Sequence, residues 1–590
     1  MTQPLPSECD VLVIGSGAAG LTAAIVATEL GQSVAVIEKA PVVGGTTAFS
    51  EGMIWVPGSR QAREAGVEDS REAAFAYMRN VAGNLFDRAR AERMIDAGPE
   101  MLAFIERHSH ARFDLALGSC DYFSETEGAC HGGRAFDPSA FDGRRLGTDF
   151  RRLRRPLPTT TIFGGQNVGG QNIGGQNIGG MMIPGEDFGH AFKVLRSVRS
   201  TARMARRYGR YLLDLLAGHG RGTRLGGGNA LVASLMLTLK ERGVAIHTAT
   251  RATALVLEAG RVAGATVETA NGARAIRARR GVVLACGGFP ASDALKRAHY
   301  PHVRAGKNHQ RLAPETNTGD GIGLAERVGG RLDARLMQPA AWAPVSLVPQ
   351  KDGTLVPFPH FIDRNKPGFL IVDRQGRRFV NEGDSYHMIV QAMFRVCADV
   401  PKIEAFVVAD HRAIRRYSIG VVPPFPGRTR PHIRSGYLIR GASLAELAAR
   451  AGIDRDGLSA TVARFNDHAR QGTDPDFGRG ATAYSRANGD LRHRPNPALG
   501  PLTRPPFYAV RIEPAELGTF FGLATNAHAQ VLGADGAPIG GLYAAGNDMA
   551  SVMGGAYPGA GITIGAAMIF GFLAARHASG ADANPGGGTT

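Results

Sequence analysis

The sequence predicts an α/β protein in which a Rossmann-type nucleotide-binding domain is interrupted by an inserted α+β domain. Three observations predict it. A short apolar strand, Asp10-Val-Leu-Val-Ile14, runs into Gly15-Ser-Gly17-Ala18-Ala19-Gly20 and an alanine-rich helix, and a second strand, Ser33 to Ile37, then ends at Glu38. A buried strand running into a glycine turn recurs at Arg280 to Phe289, and far down the chain at Gly541-Leu-Tyr-Ala-Ala-Gly546. At 590 residues the chain is too long for one simple core, which favours two large domains or one inserted into the other.

Each element has its reason. The continuous apolar runs at 10–14 and 280–286 are what strands buried on both faces require. Gly15, Gly17 and Gly20, with Ala18 and Ala19 opening a helix, place backbone N–H groups and the positive helix end where a pyrophosphate would sit. Glu38 ends the next strand, where an acidic side chain can accept from a ribose diol. β-rich sequence continues at Ala245 to Val267, and a basic helical stretch covers Phe188 to Leu216. Between Gly164 and Ile178 the pentad GGQN-Val/Ile repeats three times, too few units for a solenoid and more simply a glycine-rich loop lengthened by duplication. Residues 331–505 mix strands, prolines and an amphipathic helix at Ser443 to Gly452. The tail after Ser579 is expected to be disordered.

Composition excludes several classes. A hydrophobic share of 44% with 20% charged residues is that of an ordinary soluble protein. Five scattered cysteines without CxxC spacing fit reduced thiols rather than bridges or a zinc site, so no metal and a cytoplasmic location are expected. The N-terminus lacks a basic leader region, and the longest apolar stretch, Gly561 to Ala575, is shorter than the roughly 20 residues of a spanning helix. It reads as a buried helix. The net charge of +16 concentrates in arginines at 144–155 and 196–224. No nucleic-acid recognition fold accompanies them. The segment 194–224 reads either as a peripheral contact with an anionic membrane face or as a plain solvated helix face.

Further segments carry a resemblance. Gly44-Gly45-Thr46-Thr47, Asn317-Thr-Gly-Asp320-Gly321-Ile-Gly323, Leu542-Tyr-Ala-Ala-Gly546-Asn547 and the run Gly554 to Gly571 resemble the flavin-contacting segments of the fumarate reductase and 3-ketosteroid dehydrogenase superfamily. The resemblance implies FAD, with Lys39, Gly52, Gly287, Gly561, Ile562 and Thr563 joining the residues above at the cofactor. It divides the chain into an FAD-binding domain at 1–330 and 505–578, with a basic insertion about 144–225, and a substrate/catalytic domain at 331–504. No histidine lies between Gly44 and Gly58, where covalent members attach FAD, so noncovalent binding is implied. Neither a redox cysteine pair nor a second GxGxxG is present, which points to an electron acceptor other than NAD.

The segment Met553-Gly-Gly-Ala-Tyr557-Pro-Gly-Ala-Gly561-Ile-Thr-Ile-Gly565 lacks the arginine that dicarboxylate-handling relatives use. It resembles instead the 3-ketosteroid Δ1-dehydrogenase family, as do Arg378-Phe-Val-Asn-Glu382-Gly-Asp-Ser-Tyr386 and Asp121-Tyr122-Phe123. The resemblance implies catalysis by Tyr122, Tyr386, Tyr557 and the backbone of Gly561. Tyr557 O–H and Gly561 N–H would hold the ketone oxygen as enolate develops, Tyr386 would take the C2 proton, and the C1 hydride would pass to flavin N5. A phenol of pKa ~10 is mostly protonated at neutral pH, so Tyr386 needs a neighbour or positive potential that depresses it. Tyr122 could hydrogen-bond to it. Leu517-Gly-Thr-Phe-Phe-Gly522 departs from the family, where Lys-Gly often follows the threonine. The alternatives are a Δ4-(5α)-3-ketosteroid dehydrogenase or other cyclic-ketone dehydrogenase, a fumarate reductase-like enzyme, and a flavin-binding membrane-surface protein without turnover.

Overall fold

A computed structural model describes residues 4–161, 180–191, 193–195, 197–425 and 427–581. The GGQN repeats and most of the tail lie outside the described residues. The apolar run Glu8–Ile14 forms the strand at the centre of the first sheet. It pairs in parallel with Val34–Ile37 on one side and Gly272–Leu284 on the other. Ile246–His247 extends the sheet beyond the former, and Pro538–Ala544, arriving from the C-terminal part of the chain, extends it beyond the latter. Because these pairings are parallel, Gly15, Glu38, Ala285 and Ala545 all emerge at one edge, where α/β sheets bind ligands.

Two of the glycines expected to surround a ligand make that edge tight. Gly15 has φ +114°, and a Cβ there would lie 2.1 Å from the Ala285 carbonyl oxygen. A Cβ on Gly20 would lie 2.0 Å from the Gly15 carbonyl oxygen, so glycine lets the helix Ala18–Glu29 start against the strand before it. That helix packs against Gly227–Glu241 and Ile562–Ala578. The latter is buried through Met568 to Ala575, which accounts for its apolar character all round. Among the described residues, no helix is long and apolar enough to cross a membrane.

The second sheet runs Leu355–Pro359, Ala340–Pro349, Phe507–Thr519, Ala405–Asp410, Phe369–Val372 with antiparallel neighbours, and Phe507–Thr519 also pairs with Ile439–Gly441 antiparallel and with Gln310–Arg311 in parallel. Its long strand Phe507–Thr519 lies beyond the residue 504 at which the sequence suggested the insert ends. Helix Tyr386–Val396 lies on this sheet and is capped by Ser385, whose side chain accepts from the Met388 N–H. The helix expected at 443–452 is present as Leu444–Ala451, capped by Ser443 and ended by Gly452 in the left-handed region.

The basic helical stretch expected at 188–216 contains the helices Gly185–Ala191 and Val198–Leu216. Several arginines here turn inward, while Arg199 and Arg206 stay exposed. Arg203 and Arg207 pair with Asp187, Arg224 with Glu186, and Arg210 with Asp142 at 2.9 Å. The face left outward carries Val198, Leu212, Leu213 and Leu216.

Candidate active site

Where the two sheets meet, a continuous cavity of about 1370 Å³ opens. That exceeds the roughly 300–1,000 Å³ of a site for one drug-sized ligand. One end is backbone and glycine; the other is aromatic.

At the glycine end the wall includes Gly15, Gly17, Ala18, Ala19, Glu38, Lys39, Gly45, Thr46, Thr47, Gly52, Gly287, Asp320, Gly546, Asn547, Gly561 and Thr563. The Glu38 carboxylate accepts from Ser16 N–H at 3.1 Å, Ser16 O–H at 2.6 Å and Ala40 N–H at 2.8 Å. Lys39 Nζ donates to Thr318 Oγ1 at 2.6 Å and Asp320 at 3.0 Å. Burial opposes ionisation of Asp320, but hydrogen bonds from Thr318, Lys39 and Arg251 outweigh it and keep that carboxyl below the usual range. The space a Cβ would take is clear of protein at two places in the wall: the nearest atom would be 3.5 Å away at Gly17 and 3.8 Å at Gly45. Close backbone approach by a phosphate-bearing ligand is therefore open, and the wall fits FAD.

Four expected cofactor residues are not brought to this wall. Gly20 and Gly44 are required by packing, since a Cβ would press on the Gly15 carbonyl or on Ala48 and Val232. Gly321 lies against Asp548, 2.4 Å from where a Cβ would be, and the Ile562 side chain is buried behind the helix start. Asp548 was not anticipated, and Asn317 was anticipated only as part of its segment. Asp548, fully buried, accepts from the N–H groups of Cys286 (2.5 Å) and Gly288 (2.9 Å) and so shapes the turn at 285–288. Asn317 Nδ2 donates to Thr46 Oγ1 at 2.9 Å and to the Gly287 carbonyl at 3.2 Å, joining three separate segments of wall. Such residues act across long sequence separations and carry no local signal.

At the aromatic end Tyr122, Tyr386 and Tyr557 come together from three distant segments. The rings of Tyr122 and Tyr557 stack at 5.7 Å, and Tyr386 stands edge-on to both at 5.6 and 5.3 Å. Tyr122 O–H donates to the Tyr386 oxygen at 3.1 Å. Tyr386 and Thr563 are the polar neighbours of the Tyr557 phenol. Gly561 starts helix Ile562–Ala578 with φ +86°, where a Cβ would lie 2.5 Å from Ile54 C. Among the described residues, no backbone carbonyl takes its N–H.

The Tyr122 loop is held from below. Asp121 accepts from Trp55 Nε1 at 2.8 Å, Cys130 N–H at 3.0 Å and Arg134 at 2.7 Å, and Arg134 also pairs with Asp69. Burial pushes all three phenols above the ordinary tyrosine value. The contact expected to depress Tyr386 is therefore not supplied by its immediate partners, which are themselves neutral phenols.

Phe358, Phe361, Pro423, Pro424, Phe425 and Tyr484 complete this end. Phe361 packs on Tyr386 at 4.8 Å and Tyr484 on Tyr122 at the same distance. Neither belongs to a motif. The cations on the wall, Lys39 and Arg251, lie at the glycine end, while Asp363 puts a carboxylate at the aromatic end. Asp363 accepts from Gly420 N–H and is bonded to His360, each at 2.8 Å, and the other His360 nitrogen meets Ser346 Oγ at 2.8 Å. This Ser–His–Asp series is sealed: Ser346 and His360 are fully buried, and Tyr437 O–H covers the serine at 2.7 Å. It holds the wall and offers no nucleophile.

Residues 10–564 match the FAD binding domain family. The chain is 38% identical over 571 residues to the 4-oxocyclohex-2-ene-1-carboxylate 5-dehydrogenase of Sinomonas cyclohexanicum, covering 96% of this chain and 93% of that protein. It is 38% identical over 587 residues to the 3-oxosteroid 1-dehydrogenase of Mycobacterium tuberculosis strain H37Rv, covering 97% and 98%. Its structure is similar to the crystal structure of 3-ketosteroid Δ1-dehydrogenase from Sterolibacterium denitrificans in complex with 1,4-androstadiene-3,17-dione. The TM-score is 0.86 at 32% identity, over 98% of this chain and all of that one.

Proposed function

Because the chain belongs to the 3-ketosteroid Δ1-dehydrogenase family of FAD-dependent oxidoreductases, we propose that it dehydrogenates a 3-ketosteroid between C1 and C2. The observation that carries this reading is the convergence of Tyr386, Tyr122, Tyr557 and Gly561 N–H on one apolar cavity continuous with the cofactor wall. Bound FAD supplies the hydride acceptor. The chain's own residues handle the proton and the ketone. Tyr557 O–H and Gly561 N–H donate to the ketone oxygen, stabilising the negative charge that gathers there as C2 loses its proton. Tyr386 receives that proton, and the Tyr122 hydroxyl holds the Tyr386 oxygen in place at 3.1 Å.

One relative of equal identity is named for a keto acid rather than a steroid. The wall favours the neutral substrate. A carboxylate para to the ketone would need a cation on the aromatic wall itself, where Asp363 presents a carboxylate; Arg364 stands behind that wall with its terminal nitrogens on the Glu382 and Asp384 carbonyls. Burying the substrate carboxylate unpaired would be costly.

Anaerobic mixing with androst-4-ene-3,17-dione, alongside 4-oxocyclohexanecarboxylate and a saturated 3-ketosteroid, tests the reading by flavin bleaching and product NMR. Bleaching with a C1–C2 alkene from the first supports it. Bleaching by the keto acid alone would replace it, and a C4–C5 alkene from the saturated steroid would reassign the regiochemistry. Reoxidation is assigned to an acceptor other than NAD, and the outward apolar face of Val198–Leu216 to contact with an anionic membrane surface.

A further inference from the structure

Arg364 is 1% exposed and lies one residue beyond Asp363, behind the aromatic end of the cavity. Its two terminal nitrogens donate to the backbone carbonyls of Glu382 at 2.8 Å and Asp384 at 2.6 Å, and its Nε has no partner. Among the described residues no carboxylate forms an ion pair with it. Those nearby are committed elsewhere or only weakly available. Asp363 is held by His360 and Gly420, and Glu382 by Arg378 and Arg479. Burial raises the Asp384 carboxyl to about 6, with Arg364 pulling the other way and Glu382 adding to the rise. A guanidinium whose direct partners are neutral carbonyls costs several kcal/mol of desolvation, offset here only through space by Asp363 and Asp384. A fold keeps such a charge at a site where it does something.

Two features say what. The carbonyls it grips belong to the turn that ends at Ser385, the cap of the helix that begins with Tyr386. In front of the guanidinium stands Tyr484, whose ring lies 4.8 Å from that of Tyr122, and Tyr122 O–H is 3.1 Å from the Tyr386 oxygen. We propose that Arg364 is the positioning residue for proton removal by Tyr386: it sets the turn that aims this tyrosine and supplies the positive potential that stabilises a phenolate in the series Tyr386, Tyr122, Tyr484. The inference rests on Tyr386 being the base. It provides the source of positive charge that the immediate partners of Tyr386 lack. In keeping with it, Arg364 favours the ionised forms of Tyr122 and Tyr484 against the larger opposing effect of burial.

The test is the pH dependence of single-turnover flavin bleaching by androst-4-ene-3,17-dione in the FAD-loaded full chain. The other groups facing Tyr386 and Arg364 are Tyr557, Asp384, Asp363 and Glu382, so Asp384→Asn is run in parallel to identify any limb belonging to that carboxyl. Arg364→Met should move the acid limb assigned to Tyr386 upward by about one pH unit or more, a roughly tenfold loss of rate below it, with little change in substrate Kd. Arg364→Lys should leave the limb close to that of the unaltered chain. Tyr484→Phe leaves the buried cation in place and should move the limb in the same direction by less, so it decides the matter if Arg364→Met does not fold. A rate lowered equally at every pH, with the limb unmoved in both Arg364→Met and Tyr484→Phe, would overturn the inference and leave a purely structural arginine. Tyr386→Phe separates this from failure of the underlying reading: if that variant still exchanges C2 deuterium and bleaches, Tyr386 is not the base. If it is inert while the limb ignores Arg364, the role of the arginine alone is lost.

Discussion

The backbone N–H of Tyr122 donates to the carbonyl oxygen of Pro558 at 2.8 Å, and the Tyr77 hydroxyl donates to the same oxygen at 2.6 Å. One carbonyl thus ties the Tyr122 loop to the residue after Tyr557, and the stacking of those two rings follows from a backbone contact rather than from ring attraction. The Tyr77 oxygen also accepts from Phe123 N–H at 3.3 Å. Tyr77→Phe removes one of the two donors to that carbonyl without touching the cavity and leaves the Tyr122 N–H bond in place. We expect it to lower stability by about 1 kcal/mol, because the half-buried Phe123 N–H loses its acceptor. The bleaching rate should fall more than substrate affinity does, read by denaturant titration and stopped-flow on the same preparation. Full stability with an unchanged rate would show that the stacking is set elsewhere.

Tyr557 and Gly561 are assigned the ketone oxygen. Removing one donor of this kind costs roughly 10²–10³ in kcat, so Tyr557→Phe should lose about that factor with a small change in Kd for steroid. Gly561→Ala tests the same pair differently. Its Cβ would meet Ile54 backbone at 2.5 Å with φ at +86°, so the N–H must shift even if the fold survives. The expected result is a comparable loss of rate with lower thermal stability. A Tyr557→Phe protein that bleaches within threefold of the parent would remove this tyrosine from the clamp.

The nucleotide-binding half was readable because its signal is local: strand, glycine turn, helix, strand and Glu38 lie within forty residues. The three tyrosines were readable because each sits in a motif of its family. Asp548, Tyr484 and Arg364 were not, since each acts on a segment far away in the chain and a sequence read in windows has no trace of the pairing; Asn317 lay in a quoted segment, but its bonds to Thr46 and Gly287 did not show. The 13-residue strand Phe507–Thr519, which follows the expected end of the insert at 504, joins the second sheet at its middle, a pairing with no local mark in the sequence. The arginine run at 196–224 is divided in a way that its sequence does not reveal: Arg203, Arg207, Arg210 and Arg224 pair with Asp142, Glu186 and Asp187, whereas Arg199 and Arg206 are exposed.

A buried charge network supports the Tyr386 segment. Glu382, fully buried, pairs with Arg378 at 2.7 Å and Arg479 at 3.3 Å and accepts from Ile371 N–H at 3.1 Å, while Asp474 meets Arg378 at 2.9 Å. Burial opposes its ionisation, but the two arginines outweigh it and the folded-state pKa lies below the ordinary value. A depressed carboxylate contributes stability that is present above the unfolded value of about 4.3 and is lost as pH falls through the folded value. Glu382→Gln should therefore cost about 3–5 kcal/mol near neutrality, since it leaves buried arginines short of a partner. The gap from the parent should narrow as pH drops below about 4, measured by denaturant unfolding across that range. A gap independent of pH would mean that the network acts by packing alone.

The outward face of Val198–Leu216 combines Val198, Leu212, Leu213 and Leu216 with exposed Arg199 and Arg206. The helix it packs against, Gly185–Ala191, contributes Gly185 and Ala191 to the cavity wall beside Leu157 to Thr161. An apolar face with flanking cations beside the cavity that holds a lipid-soluble ketone suits a bilayer surface, where each arginine near anionic headgroups is worth about 1 kcal/mol. The chain should sediment with phosphatidylglycerol-containing vesicles at low salt and release partly as salt screens the arginines. Leu212→Glu with Leu216→Glu should abolish sedimentation while leaving bleaching of dissolved steroid unchanged, because neither residue lines the cavity. Slower turnover of steroid presented in vesicles, against normal turnover of free steroid, would tie the surface to substrate supply. A parent protein that stays in the supernatant at every salt concentration would return this helix to the role of a solvated surface element.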